Sequence, residues 1–189
     1  MNATLGQTRP AKRDYVVGFT LLVIHLGALA ALVPAFFSWQ AIFVALGLYL
    51  ATGFGITLGY HRLLTHRSLA LWKPLEYAIS ILGVLAFQGG PIEWVATHRI
   101  HHANSDTEGD PHDSNRGMPW AHFEWLFRKN QARPMPAERE RWVPDLYKEP
   151  FYPLLEKYHV LFQLALGVVL FLVGGWSFVV WGIFVRLGY

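Results

Sequence analysis

The chain has 189 residues, of which 53% are hydrophobic and only 15% are charged, whereas about a quarter of the residues in an ordinary soluble domain are charged. Residues 15–61 and 158–185 contain no Asp, Glu, Lys or Arg, and roughly 20 apolar residues are enough to cross a bilayer. The composition therefore indicates an integral membrane protein. The net charge of +3 does not indicate nucleic-acid binding, because the basic residues flank the apolar runs. The lack of cysteine excludes disulfides and thiolate metal ligands.

The first part of the chain is predicted to be an arm followed by a transmembrane hairpin. Residues 1–14 form the predicted cytoplasmic arm, and residues 15–60 form the hairpin, with one span over 15–33 and a second over 41–59. Basic residues near the N-terminus place that end and the segment after the hairpin in the cytoplasm. Gly53, Gly55 and Gly59 are expected to allow close helix packing, a common use of small residues in membranes.

The remainder is predicted to be a cytoplasmic cap over residues 61–157 and a return to the membrane over residues 158–189. The apolar run 75–87 is too short for a span and is expected to form a buried or interfacial helix. Residues 129–153 are rich in proline and charge and predict a loop with short helical pieces. A third span is expected to begin near residue 160 and end near residues 174–175, where a fourth begins. The predicted fold is all-α, with three complete spans, a truncated fourth and a helical cap.

Five of the nine histidines fall into two clusters at the predicted membrane edge: His61, His66, His98, His101 and His102. Imidazole suits Zn, Cu, Fe and Ni. The second cluster has spacings i, i+3 and i+4, which share one helix face and predict convergence on one or two ions. His61 and His66 lie about 140° apart on a regular helix, so they are expected to converge only where the helix ends or bends. All five are predicted metal ligands.

The other histidines carry weaker expectations. His25, within an apolar span, and His159, at the start of the third span, are expected to be structural. No role is assigned to His122. Two roles remain open for His112: it is either a turn residue or a residue that supports a metal ligand.

The motif HxxxxH after a second span, followed about thirty residues later by HxxHH, resembles the integral-membrane fatty-acid desaturases. The flanking sequences GYHR (59–62), THRS (65–68), QGGPIEW (88–94) and DPHDS (110–114) are similar to delta-9 desaturases, and most similar to the bacterial acyl-lipid type. The resemblance implies a di-iron centre that activates O2 and introduces a cis double bond into a long acyl chain. Iron rather than zinc is expected, because breaking an unactivated C–H bond needs a redox-active metal.

The resemblance also bears on the substrate. Gln88 and Trp94 match family positions that line the acyl tunnel, although an interfacial role for Trp94 is an equal alternative. Acyl-CoA members carry an Arg-Asp pair where this chain has Ala96 and Thr97, and an Asn where it has Gly89. These differences favour a lipid-linked acyl chain over acyl-CoA and leave an acyl-carrier protein open. The electron donor implied by the family is a ferredoxin or a cytochrome-b5-like protein.

The family carries a third histidine box beyond the fourth span, with one further ligand histidine before it, and this sequence contains neither. It is therefore expected to be a fragment, a frameshifted product or an inactive copy, and activity of this chain alone is doubtful. Two alternatives stay open: a sister di-iron hydroxylase or ketolase, and a non-catalytic membrane protein that retains part of the fold.

Overall fold

The computed structural model describes residues 12–128 and 133–188, and within them the fold is helical, with one isolated antiparallel bridge between Arg13 and Arg128. Three helical runs are long and apolar enough to cross a membrane: Tyr15–Leu32, Trp39–Thr65 and Phe151–Gly188. The predicted all-α membrane fold is confirmed. Residues 1–11 of the predicted arm lie outside the described residues.

The region predicted to be a hairpin contains helix α1 (Tyr15–Leu29) and helix α2 (Trp39–Phe54). The Asp14 carboxylate begins α1 by accepting hydrogen bonds from the first backbone N–H groups, and the Ser38 hydroxyl caps α2 in the same way. Between them run two short 3₁₀ turns, Ala30–Leu32 and Pro34–Phe36. Both helices expose large apolar side chains such as Phe19 and Phe43, as expected for surfaces that face lipid.

Helix α2 continues without a break into a π-helix, Gly55–Thr65, which carries the chain to the first histidine cluster. Helix α3 (Lys73–Leu85) returns alongside it and is not one of the three spanning runs, as predicted for residues 75–87. A Cβ at Gly55 would overlap the backbone of Gly83, and a Cβ at Gly59 would lie 2.9 Å from the Ile79 side chain. These two glycines therefore have the predicted packing role. The prediction was wrong for Gly53, which has nothing near its Cβ position.

Helix α4 (Pro91–Asn104) carries the second histidine cluster. The short helices after it build the cap: α5 (Met118–His122), α6 (Pro136–Trp142) and α7 (Pro144–Tyr147), with 3₁₀ turns at Ser114–Arg116 and Glu124–Phe127. The described part of the segment 129–153 thus has the short helical pieces predicted for it. A buried core joins the cap to the π-helix and includes Tyr60, Val95 and Tyr152.

The long helix α8 (Phe151–Val179) begins earlier than the predicted third span, because its first turns belong to the cap. Leu155 is buried in the cap core, and the Glu156 carboxylate accepts hydrogen bonds from the backbone N–H groups of Ile92 and Glu93 at the start of α4. This carboxylate therefore caps α4.

The chain reverses direction at Gly175, whose φ of 65° and ψ of −157° interrupt α8. The segment after it, residues 176–188, includes a π-helix, Val180–Val185, and packs back against α8, so that Ile183 joins Leu170 in a second core. We call residues 176–188 the return segment. Its position matches the predicted start of a fourth span after residues 174–175. Glycine is suited to this reversal, because side chains disfavour positive φ.

Candidate metal centre

The π-helix aligns the first pair of histidines. The backbone N–H of His66 donates to the carbonyl of His61 at 3.0 Å, the five-residue step of a π-helix, and the helix ends at Thr65 between them. The Nε2 atoms of the two rings lie 3.2 Å apart. A helix end between these residues was expected, but the π winding, which places positions five apart over one another, was not predicted.

Helix α4 supplies the second pair through its ordinary α-helical spacing. His98 and His102 are one turn apart, and their Nε2 atoms lie 3.1 Å from each other. His101 is about 100° around the helix from His102 and therefore faces elsewhere. The structure brings four of the five predicted ligands together and directs the fifth away from them.

The four rings stand at the corners of a near-square. Neighbouring ring centroids are separated by 4.5 Å (His61–His66), 4.7 Å (His66–His102), 4.6 Å (His98–His102) and 4.8 Å (His61–His98), whereas the diagonals measure 6.3 and 6.0 Å. One nitrogen from each ring lies within 4.8 Å of all the others. We call this group the four-histidine cluster.

The four-histidine cluster fits a metal ion by both distance and charge. Two imidazole nitrogens bound tetrahedrally to one ion, at about 2.0–2.1 Å each, lie roughly 3.3 Å apart, close to the separations within each pair. Burial, together with the neighbouring imidazoles of His102, His61, His101 and His66, lowers the pKa of His98 to about 3. Burial also lowers the pKa of His102. These rings are therefore neutral near pH 7, and a neutral imidazole offers its lone pair to a metal.

His101 lies in a second group with Asp110 and His112. The sequence analysis left the role of His112 open and assigned none to Asp110. The Nδ1 atom of His101 is 2.9 Å from both carboxylate oxygens of Asp110, and this carboxylate is buried. Burial by itself raises the pKa of Asp110, but hydrogen bonds from His101 and from backbone N–H groups outweigh it and lower the pKa. The ring of His112 lies 4.1 Å from that of His101.

Arg99 links the helices that carry the two histidine clusters to each other and to the cap. Its guanidinium donates to both oxygens of Asp145 at 2.8 and 2.9 Å, to the carbonyl of Leu64 at 2.8 Å and to the carbonyl of Trp142 at 2.9 Å. Arg67, directly after His66, also pairs with Asp145. In the sequence each of these arginines directly follows a histidine, but the sequence did not predict that both would pair with Asp145 of α7.

The two predicted substrate residues are adjacent to the four-histidine cluster. The indole N–H of Trp94 donates to the Gln88 side-chain oxygen at 3.3 Å, and the Trp94 ring stacks on His98 with centroids 4.7 Å apart. Ala96 and Thr97, which stand where acyl-CoA members carry an Arg-Asp pair, are buried in the protein. Ala96 is fully buried, and the Thr97 hydroxyl donates to the Glu93 carbonyl in its own helix.

The remaining histidines lie outside the four-histidine cluster. The Nδ1 atoms of His25 and His159 lie 2.7 Å from the backbone carbonyls of Leu21 and Glu156, respectively, in their own helices. His122 is at the end of α5, where its ring contacts Phe123 edge-on. The backbone N–H of His112 donates to the Asp110 carboxylate two residues earlier, within a turn, as in the turn alternative given above for His112.

Comparison with known proteins gives a family match for most of the chain. The sequence profile of the family described as fatty acid desaturase matches residues 37–189. The chain is 50% identical over 185 residues to an sn-1 stearoyl-lipid 9-desaturase of Anabaena variabilis, covering 97% of this chain and 67% of that protein. It is 49% identical to a protein of the same name from Synechocystis sp., covering 92% of this chain and 54% of that one.

A third relative, an sn-2 palmitoyl-lipid 9-desaturase of Nostoc sp., is 40% identical, and the match covers 98% of this chain and 67% of the relative. The chain thus spans between half and two thirds of the length of these curated relatives.

Proposed function

Because the chain belongs to the fatty acid desaturase family, we propose that it acts in O2-dependent desaturation of lipid-linked acyl chains and that its four-histidine cluster holds one iron of a di-iron centre. The observation that carries this proposal is the convergence of His61, His66, His98 and His102 through their Nε2 atoms. His101 completes the five proposed ligands and belongs to the second metal position.

Each part of the site has a separate role in this proposal. Bound iron would supply the redox chemistry with O2 that removal of hydrogen from unactivated methylene groups requires. The four imidazoles would hold the metal, with burial keeping that of His98 neutral, and Arg99 links the π-helix to α4. Gln88 and Trp94 orient the acyl chain, since the Trp94 ring lies directly against a ligand histidine.

A lipid-linked acyl chain is the proposed substrate. The side chains of Ala96 and Thr97 are buried and present no charge to a nucleotide head group. The relatives named above carry both sn-1 and sn-2 and both stearoyl and palmitoyl specificities.

The orientation and the electron donor are also proposals. The backbone N–H of Asp14, at the start of α1, donates to the backbone carbonyl of Phe127 in the cap at 2.8 Å. This contact supports placing the N-terminal end of α1 and the cap with its histidine clusters on one side of the spans. The basic residues that flank the spans favour the cytoplasm for that side. A ferredoxin or a cytochrome-b5-like protein would then deliver electrons to the cap.

The metal site is tested with the purified chain in detergent micelles, titrated anaerobically with Fe(II) or Co(II). We expect one tightly bound ion per four-histidine cluster. His98→Gln should weaken binding by more than the roughly 10–100-fold typical of losing a residue that only supports a ligand. His25→Gln is the matched control, because this histidine is exposed and its Nδ1 lies beside the Leu21 carbonyl of its own helix. Equal affinities for the two variants would contradict the assignment.

The reaction is tested by expression in a desaturase-deficient host, using the chain alone and the chain joined to the unmatched remainder of the Anabaena relative. We expect the joined protein to produce lipids with cis-monounsaturated acyl chains and the His98→Gln version to produce none. Hydroxylated acyl chains would instead favour the sister hydroxylase. An inactive joined protein that still binds iron would favour a non-catalytic role.

A further inference from the structure

Asp110 is a buried carboxylate outside the four-histidine cluster, and hydrogen bonds hold it in place on several sides. One oxygen accepts the backbone N–H of Asp106 at 3.0 Å, and the other accepts the backbone N–H of His112 at 3.0 Å. Both oxygens also lie 2.9 Å from Nδ1 of His101. The turn after α4 therefore fixes the carboxylate, and the carboxylate faces one edge of one imidazole.

An ionised carboxylate can only accept hydrogen bonds. Nδ1 of His101 must therefore carry the ring proton when the imidazole is neutral, and Nε2 must carry the lone pair. The same arrangement, in which a carboxylate holds the far nitrogen of a metal-binding imidazole, orients ligands in many metal sites. All four members of the four-histidine cluster also converge through Nε2.

We propose that Asp110 is the positioning residue of this metal centre, which fixes His101 as the Nδ1–H tautomer and leaves its Nε2 free to bind metal. This inference rests on the proposed function for its metal, but the tautomer itself does not depend on metal. The inference also distinguishes two possible roles of the group formed by His101, Asp110 and His112: a separate cation site, or support for His101 as a metal ligand. That group is not a separate cation site, because the Nδ1 atom facing Asp110 carries a proton.

The test is histidine-ring NMR of the full chain, labelled with ¹⁵N-histidine in detergent micelles at mildly alkaline pH, with His101 assigned from the spectrum of His101→Gln. In the wild-type chain we expect the His101 proton on Nδ1 and an unprotonated Nε2. In Asp110→Asn the side-chain amide can donate to Nδ1 and favour the opposite tautomer. The Nε2 signal should then shift to the protonated position.

Asp106→Asn is the matched control, because its carboxylate lies in the same turn and bonds the Ser114 hydroxyl. It should leave the His101 signals unchanged. If Asp110→Asn fails to fold by circular dichroism, Asp110→Ser, which is smaller and overlaps with nothing, replaces it, and we expect the same loss of the Nδ1–H form. A wild-type His101 with its proton on Nε2, or a folded variant with an unchanged tautomer, overturns the proposal.

Addition of Zn(II) separates this inference from the proposed function. We expect the Nε2 signals of the four-histidine cluster to shift while His101 keeps its Nδ1 proton. Loss of that proton on metal addition would make Asp110 and His101 Nδ1 ligands themselves and overturn the inference. Absence of any shift in the four-histidine cluster would contradict the metal site under the proposed function and leave the Asp110 assignment standing.

Discussion

Arg99 and Asp145 form a two-pronged ion pair, with Nη1–Oδ1 and Nη2–Oδ2 distances of 2.8 and 2.9 Å, that joins the helix of the second histidine cluster to α7 of the cap. Arg99 also reaches the carbonyl of Leu64, at the end of the π-helix. The pair therefore connects both histidine clusters to the cap through one guanidinium. Such paired, planar contacts are the strong class of charged hydrogen bond.

Removing the charge of Asp145 should loosen the link between the clusters. Asp145→Asn is expected to lower the free energy of unfolding by about 1–3 kcal/mol, because the Arg99 and Arg67 guanidiniums lose a charged acceptor. Thermal or denaturant unfolding in detergent micelles measures it. Glu140→Gln, at an exposed position of α6, is the control and should change stability by less than about 0.5 kcal/mol. Similar losses in both variants would contradict a specific role for the pair.

The same carboxyl predicts an acid-dependent loss of stability. Burial by itself raises the pKa of Asp145, but hydrogen bonds from Arg99 and Arg67 outweigh it and lower the pKa to about 2. A carboxyl whose pKa is lower in the folded chain stabilises the fold above its unfolded pKa of about 3.9. That stabilisation is lost as the pH falls from about 4 toward 2. The stability difference between wild type and Asp145→Asn should be constant near neutrality and shrink across this range; a difference that is constant throughout contradicts the assignment.

Arg186, in the return segment, is a buried cation that donates hydrogen bonds to neutral acceptors. Its guanidinium donates to the carbonyl of Leu85 at the end of α3 at 2.8 Å, to the Thr52 hydroxyl at 3.2 Å and to the Gly182 carbonyl at 2.7 Å. It therefore links the return segment to α2 and to the helix that precedes Gln88. Intramembrane charges of this kind are costly and are kept where they have a specific role.

Replacing Arg186 should separate these elements. Arg186→Met is expected to destabilise the fold by about 1–3 kcal/mol, because it removes the guanidinium hydrogen bonds to the Leu85 carbonyl and the Thr52 hydroxyl. Arg186→Lys, which keeps a donor, should lose less. Unfolding in micelles compares the variants, and equal stability of Met and Lys variants would show that the hydrogen bonds contribute nothing.

The contact of the π-helix with α3 depends on the absence of a side chain at Gly55. Gly55→Ala should destabilise the protein by about 1–3 kcal/mol, because the new methyl overlaps the backbone of Gly83. Gly53→Ala is the matched control on the same helical run. It has open space at Cβ and should stabilise by up to about 1 kcal/mol through helix propensity. A neutral Gly55→Ala would mean that the two helices can separate without cost.

Several features of this protein were determined by the sequence alone. Long runs without charge predict spans because unpaired charges are excluded from hydrocarbon, and the HxxHH spacing places His98 and His102 together because an α-helix repeats every 3.6 residues. The turn near residues 174–175 was predictable from its paired glycines. These features depend on local composition and spacing, so no knowledge of distant contacts was needed.

Only the tertiary structure decided how the site is assembled. The π winding that brings His61 against His66 lies in a segment whose Gly55 and Gly59 pack closely against α3, and the sequence analysis predicted no such winding. His101 and His98 share a box in the sequence, yet His101 faces Asp110 because its direction on α4 meets the turn that follows. Arg186, isolated in an apolar run of the sequence, finds its acceptors on α2 and α3. In each case the deciding contact joins residues brought together by folding, and their spacing along the chain does not encode it.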